Sequence, residues 1–422
     1  MTQEFLQVLQ LTAMGATGQP ASIAGTEIDW KTLLAIAGKQ KVAGYIAHAL
    51  KMAPGLRCPP EIRDPLIRHA RALALSNAVQ RGAVLQLLGE METAGIHAVL
   101  LKGYAIADCY AVPESRRSAD TDIWVAPEDE DAACSFMKAH GFTVDPRWKS
   151  GHHAVCHHPR LGCVEVHVLL YDEIVEDIWF GRMDGSEFVT EPHRFIASED
   201  GHYYTLGHTD HIIFLALHMI KHFIISGLTV QMMMDVGLYF RAHMAEIDVG
   251  RFWDTIRSLQ YDKLMSCILW TLIQYGGFGE KDFPGIAALD TNLINSFLTD
   301  LERGGWMGHN DKEAREKGWQ EYNRQKMLKS RGNLSYLIHM GFWKLGMLGT
   351  VLFPPVHKLR QKFPYLNRWP VLLPVAWLHR LVFRGGKAVR NGELTNGMVL
   401  DPEKIGSAAK ERIGLFRELE ML

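Results

Sequence analysis

Apolar residues recur at helical spacing through residues 3–51, as in Trp30-Lys-Thr-Leu-Leu-Ala-Ile-Ala and Val42-Ala-Gly-Tyr-Ile-Ala-His-Ala-Leu. Asp29 is placed to cap the first of these. Pro54, Pro59 and Pro60 interrupt the pattern, and a long helix is expected over 65–93, closed by Gly95. The pattern then changes period. Ile96-His-Ala-Val-Leu-Leu101 reads as a buried strand, followed by Lys102-Gly103 and a short helix reaching Tyr110. Asp120-Thr-Asp-Ile-Trp-Val125 is a second strand. Pro127-Glu128-Asp129 opens a helix that Gly141 ends, and 154–170 is a hairpin turning at His158-Pro-Arg-Leu-Gly162. From Asp210 the helical period returns. The methionines of Gln231-Met-Met-Met-Asp235 read as core filling. The expected fold is therefore α+β: a small mixed-sheet core at 91–175 between a helical region at 1–90, a helical second domain at 200–320 and a helical region at 321–422.

Composition narrows the class without naming the chemistry. A chain of 422 residues, 47% hydrophobic and 22% charged, has ample material for a globular core. Six cysteines without a CxxC pair suggest no disulfide framework, and the first fifteen residues lack the basic and apolar regions of a signal peptide. A reducing cytoplasm is the expected compartment. The net charge is −2, yet 323–391 holds thirteen Lys or Arg and no Asp or Glu, leaving the rest of the chain at −15. Aromatic residues are interleaved with those basic ones. The stretch suits a helical layer paired with acids elsewhere, a peripheral contact with the inner surface of an anionic membrane, or a nucleic-acid backbone.

The chemistry concentrates around Asp120 and Asp122. Side chains alternate along a strand, so both point to one side, roughly 7 Å apart at their Cα atoms. Two carboxylates on one face repel, and a divalent cation such as Mg²⁺ or Mn²⁺ would relieve that conflict, though a solvent-facing pair at a strand end is also ordinary. Lys102-Gly103 lies upstream, Arg116-Arg117-Ser118 immediately precedes, and Glu165 with His167 lies in the hairpin strand. His167 shares the side of Glu165 and suits a proton relay, a phosphate contact or a buried structural role. His218 and His222, at i and i+4, share a helix face but lack the glutamate of an HExxH motif. His152-His153-x-x-Cys156-His157-His158…Cys163 offers many metal ligands without a standard zinc spacing, so exposed hairpin histidines are the simpler expectation.

Leu101-Lys-Gly, then Arg116-x-Ser-x-Asp-x-Asp-hydrophobic, then a helix and a hairpin carrying an acid, resembles the DNA polymerase β-like nucleotidyltransferase superfamily. Within it the resemblance is closest to the uncharacterised nucleotidyltransferases, and looser to the toxin-type nucleotidyltransferases of abortive-infection systems. The resemblance implies metal binding by Asp120, Asp122 and Glu165, and triphosphate contacts from Lys102, Gly103, Arg116 and Ser118. It also implies accessory roles for the His218/His222 helix and for Asp235 on the helix that follows. The implied activity moves an NMP group from an NTP to an acceptor hydroxyl on RNA, protein or a small molecule. This chain departs from the superfamily at Gly103-Tyr104, where Gly-Ser or Gly-Gly is usual. That departure keeps open a catalytically inactive regulator of the same fold that binds a nucleotide or a partner.

Overall fold

A computed structural model describes residues 1–305 except 21, 26, 54, 117, 119, 146–152, 171–193 and 199–200, together with 322, 325, 326, 369, 372–376 and 407–422. Met1–Arg315 with Glu411–Met421 forms one compact unit. The second unit, Glu316–Lys410, contains the basic, aromatic stretch 323–391, and nearly all of it lies outside the described residues.

Four helices open the chain: α1 (Gln3–Thr17), α2 (Trp30–Lys39), α3 (Ala43–Met52) and α4 (Pro60–Thr93). Asp29 caps α2 as expected, accepting from the amides of Lys31 and Thr32 at 3.1 Å each. Gly15 sets the α1–α3 approach: a Cβ there would lie 1.9 Å from the carbonyl oxygen of Tyr45. Helix α4 begins earlier than the spacing indicates, because Pro60 occupies its first turn, where no amide hydrogen bond is lost.

The sheet that follows is mixed and seven-stranded. Its strands are β1 (Val99–Leu100), β2 (Asp120–Trp124), β3 (Thr143–Asp145), β4 (His153–His158), β5 (Gly162–His167), β6 (Arg194–Ser198) and β7 (Gly201–Thr205), in the order β3-β4-β5-β2-β1-β7-β6. Short helices α5 (Tyr104–Ala107) and α6 (Glu130–Ala139) lie between its first strands. The strand expected over 96–101 is shorter: Val99 and Leu100 pair and the Leu101 amide still donates to the Asp122 carbonyl, whereas the amide of Ile96 is bonded to the Met91 carbonyl at the end of α4. The β6–β7 hairpin was not anticipated, and β7 extends the sheet by pairing parallel to β1.

One sheet face is apolar. Thr121, Ile123, Ala154, Cys156, Val164 and Val166 are buried, five of them packed with Val84, Leu88 and Met91 of α4 and Ala133 and Met137 of α6. Alternation then forces Asp120, Asp122, Glu165, His167 and His153 to the opposite face. Burying the aliphatic half of each strand is what turns the polar half outward.

Beyond the sheet come α7 (His208–Ile225), α8 (Val230–Ala242), α9 (Val249–Ser258), α10 (Asp262–Tyr275), α11 (Thr291–Arg303) and α12 (Ser407–Glu418). Met233 and Met234 are buried, in line with core filling. Helix α12 joins the same unit through Arg412, which donates to the carbonyl of Phe223 and lies 3.4 Å from Asp300. No described helix is long and apolar enough to cross a membrane.

Candidate active site

Strand register assembles the carboxylates. β2 and β5 run parallel with Asp120 opposite Cys163, Asp122 opposite Glu165 and Trp124 opposite His167. The side-chain oxygens of Asp120, Asp122 and Glu165 lie within 4.8 Å of one another. Lys102, carried by the bend after β1, places its ammonium between the two aspartates, 3.3 Å from Asp120 Oδ2 and 3.0 Å from Asp122 Oδ2. Gly103 follows with a φ of +70°, and a Cβ there would stand 2.8 Å from Ser118 Oγ, so both shape and conformation favour glycine. Ser118 itself donates to the Asp120 carbonyl at 2.8 Å, tying the incoming loop to the start of β2.

Burial and mutual charge govern the ionisation of this group. Burial raises the Asp120 carboxyl, and Asp122 beside it raises it further. Burial acts on Asp122 in the same sense, but Lys102 and the contact with His167 outweigh it and hold that carboxyl below its usual range. For Lys102 burial opposes the charge, and the two aspartates more than restore it. His167 Nε2 is 3.2 Å from Asp122 Oδ1 and 3.4 Å from Glu165 Oε2; burial works against its protonation, and the two carboxylates reverse that. The result is a compact set of alternating charges, with Asp120 the most open carboxylate at 36% side-chain exposure and Asp122 closed at 3%.

Oxygen donors of this kind and spacing fit a hard divalent ion. Three acids gathered on one sheet face, with one lysine and one histidine set among them, leave room for further positive charge at the exposed edge by Asp120. The structure brings together the three acids that the family resemblance singles out.

Other expected residues are placed differently. Arg116 is 7% exposed and forms a paired contact with Asp235 on α8, its Nε donating to Oδ1 at 2.7 Å and its Nη2 to Oδ2 at 2.9 Å. Tyr110 donates to the same Oδ1 at 2.5 Å, and Asn77 holds the Arg116 carbonyl at 3.0 Å. Arg116 and Asp235 are expected at the triphosphate and as an accessory group; the structure pairs them with each other in the interior, where the α8 carboxylate compensates the buried guanidinium. His218 stands closer to the chemistry. Burial depresses its basicity strongly, and the Lys102 charge adds to that. His222 packs against His218 at 4.7 Å between ring centroids and is pushed down to about 4 by burial, then by Lys102.

The hairpin histidines divide between the two faces. His158 lies on the side of the buried Cys156, its ring 4.8 Å from Phe142, whereas His153 and the exposed His157 share the acidic face, His153 with Nε2 3.6 Å from Glu165 Oε2. His152 lies outside the described residues. A further histidine has no signal in the local sequence. His211 of α7, fully buried, donates from Nε2 to the Leu101 carbonyl at 2.7 Å, and its Nδ1 lies 2.9 Å from Thr205 Oγ1. Burial lowers its pKa to about 3, so it stays neutral and pins α7 beside the bend that carries Lys102.

A family model described as uncharacterised nucleotidyltransferase matches residues 26–275, from just before α2 to the end of α10. Comparison with curated proteins and with solved structures gives no match. The matched span takes in the Lys-Gly bend, the Asp-x-Asp strand, the acid on its parallel neighbour and the helices behind them. The carboxylate geometry and this match over more than half the chain lead to one conclusion: the chain belongs to the uncharacterised nucleotidyltransferase family.

Proposed function

We propose that this chain transfers a nucleotidyl group from a nucleoside triphosphate to an acceptor hydroxyl, on RNA, protein or a small molecule, with a divalent cation at Asp120, Asp122 and Glu165. The observation that carries this reading is the convergence of the three carboxylates within 4.8 Å on the sheet face opposite the apolar core. Bound there, Mg²⁺ or Mn²⁺ would neutralise triphosphate charge and lower the pKa of the attacking hydroxyl. In the reaction the acceptor oxygen bonds to the α-phosphorus, the bond from that phosphorus to the bridging oxygen breaks, and pyrophosphate leaves.

The chain's own contribution is positioning and charge. Lys102, already poised between the aspartates, supplies a cation to phosphate oxygens at the same edge. Gly103 keeps the backbone there free of a side chain. His167 stands against both Asp122 and Glu165, at 3.2 and 3.4 Å, and steadies them. Ser118 and the Arg116–Asp235 pair act one step back, fixing the loop that delivers Asp120. His218, an imidazole kept neutral by burial, is suited to hydrogen bonding with nucleotide or acceptor.

A second reading is favoured by two features. The Lys102 ammonium already satisfies both aspartates, and Tyr104, where a second small residue is usual, is buried rather than presented to phosphate. On that basis the chain would bind a nucleotide or a partner without turnover.

One experiment separates the two. The purified chain is incubated with each α-labelled NTP and Mg²⁺ or Mn²⁺ in cell extract, beside the Asp120→Ala/Asp122→Ala variant. Label on RNA, protein or a small molecule in the wild type alone supports transfer and identifies the acceptor. Equal labelling in both refutes the assignment, and nucleotide binding with no labelling in either supports the non-catalytic reading.

A further inference from the structure

The carboxylate set has a neighbour that the Asp-x-Asp pattern does not require. β5 is paired on both sides, parallel with β2 and antiparallel with β4, where His153 stands opposite His167. This register brings two imidazoles to a single carboxylate: His153 Nε2 lies 3.6 Å and His167 Nε2 3.4 Å from Glu165 Oε2. His167 Nε2 is also 3.2 Å from Asp122 Oδ1, and one ligand atom each from His153, Glu165 and His167 lies within 4.8 Å of the others.

These separations are long for charge-assisted hydrogen bonds, which run at about 2.7–2.9 Å. They match donors arranged around an ion: metal–ligand bonds of about 2.0–2.1 Å in tetrahedral geometry hold their ligand atoms ~3.4 Å apart. The donors are largely enclosed, with side-chain exposures of 12%, 8% and 22% for His153, His167 and Glu165, and β-strands rather than loops fix all three. Two nitrogens and a carboxylate are a poor set for Mg²⁺, which favours oxygen, and a good one for borderline divalent ions.

We infer that His153, His167 and Glu165 form a binding position for a first-row transition-metal ion of the Mn²⁺, Co²⁺ or Zn²⁺ class, sharing Glu165 with the aspartate pair. The inference rests on the reading of Glu165 as a site carboxylate. It assigns the metal class of this site: the ion on β4 and β5 is held partly by nitrogen, and Mg²⁺ alone does not replace it.

The test uses the full chain stripped with a chelator. Co²⁺ is titrated in under visible absorption, and Mg²⁺ by calorimetry, for wild type and for His153→Gln, His167→Gln and Asp120→Asn, each checked for folding by circular dichroism. The expected result is a saturable d–d spectrum in wild type, lost or weakened at least about tenfold in Co²⁺ affinity in both histidine variants. Mg²⁺ binding is expected to be unchanged by His153→Gln. A Co²⁺ spectrum and affinity identical in wild type and His153→Gln overturn the proposal, as does a spectrum that only Asp120→Asn abolishes. Nucleotidyl transfer is read separately: a chain with the histidine-dependent spectrum but no transfer under any metal refutes the transferase reading and leaves this site standing. Transfer with a histidine-independent spectrum does the reverse.

Discussion

Asp235→Ala tests whether the interior pair belongs to the fold or to the chemistry. The substitution strands the Arg116 guanidinium, 7% exposed and held by two hydrogen bonds of 2.7 and 2.9 Å. It also removes the acceptor for the Tyr110 hydroxyl, which is itself buried and stacked on Tyr45 at 5.2 Å. Breaking a buried ion pair from one side costs about 3–5 kcal/mol, and an orphaned hydroxyl adds ~1 kcal/mol. With a urea m-value of about 3 kcal/mol/M, the unfolding midpoint should fall by roughly 1–2 M. Asp235→Asn keeps an acceptor oxygen and should lose about half as much. The double variant Arg116→Met/Asp235→Leu removes both charges and should recover most of the loss, since a buried pair replaced as a unit by apolar residues is often neutral. Urea titrations followed by tryptophan fluorescence give the three midpoints, and the single variants Arg116→Met and Asp235→Leu complete the cycle that isolates the pair. The reasoning fails if Asp235→Ala unfolds within about 0.5 kcal/mol of wild type while Arg116→Ala abolishes nucleotide binding. Arg116 would then serve the triphosphate directly.

His211 predicts an acid-side instability. Its folded pKa, pushed down to about 3, lies below the unfolded value, so nothing changes above about pH 6.5. As pH falls from there toward 3 the unfolded chain takes up a proton that the folded site refuses, and stability is lost through that window, by at most about 4–5 kcal/mol. Calorimetric Tm values from pH 7 to pH 4 should show this, and His211→Gln should flatten the profile; an equally steep profile in that variant removes His211 as the cause. Gly15→Ala should lower Tm through an overpacking cost of about 1–3 kcal/mol, because the new Cβ meets backbone rather than a movable side chain. An unchanged Tm would show that α1 and α3 separate freely. Lys102→Met should tighten Mn²⁺ binding, measured by calorimetry, while lowering transfer, since it removes the cation that competes for Asp120 and Asp122. Weaker Mn²⁺ binding would mean that Lys102 organises the carboxylates rather than competing with the ion.

Several parts of this protein were legible residue by residue. Asp-x-Asp in a strand places both acids on one side because strand alternation is local, and the aliphatic positions of 120–125 and 162–167 say which side is buried. The cap at Asp29, the breaker at Gly141 and the hairpin turn before Gly162 follow from the conformations those residues favour. The β6–β7 hairpin carried a readable signal as well: Phe195-Ile196 and Tyr203-Tyr204 flank Asp200-Gly201, a turn dipeptide between aromatic runs.

Partners across the fold were a different matter. Whether Arg116 meets phosphate or Asp235 depends on where α8 lands, and no spacing along the chain encodes that. His153, in a cluster of histidines without metal spacing, gains its meaning only from the antiparallel register that sets it opposite His167 and beside Glu165. His211 likewise became a pin for the Lys102 bend only once α7 lay against β1 and β7. The sequence by itself determined the local elements and the acidic strand, because propensity and alternation act between near neighbours. Tertiary structure decided which charges meet, because a buried charge takes whatever counter-charge the packing brings within about 3 Å, however far away it lies along the chain.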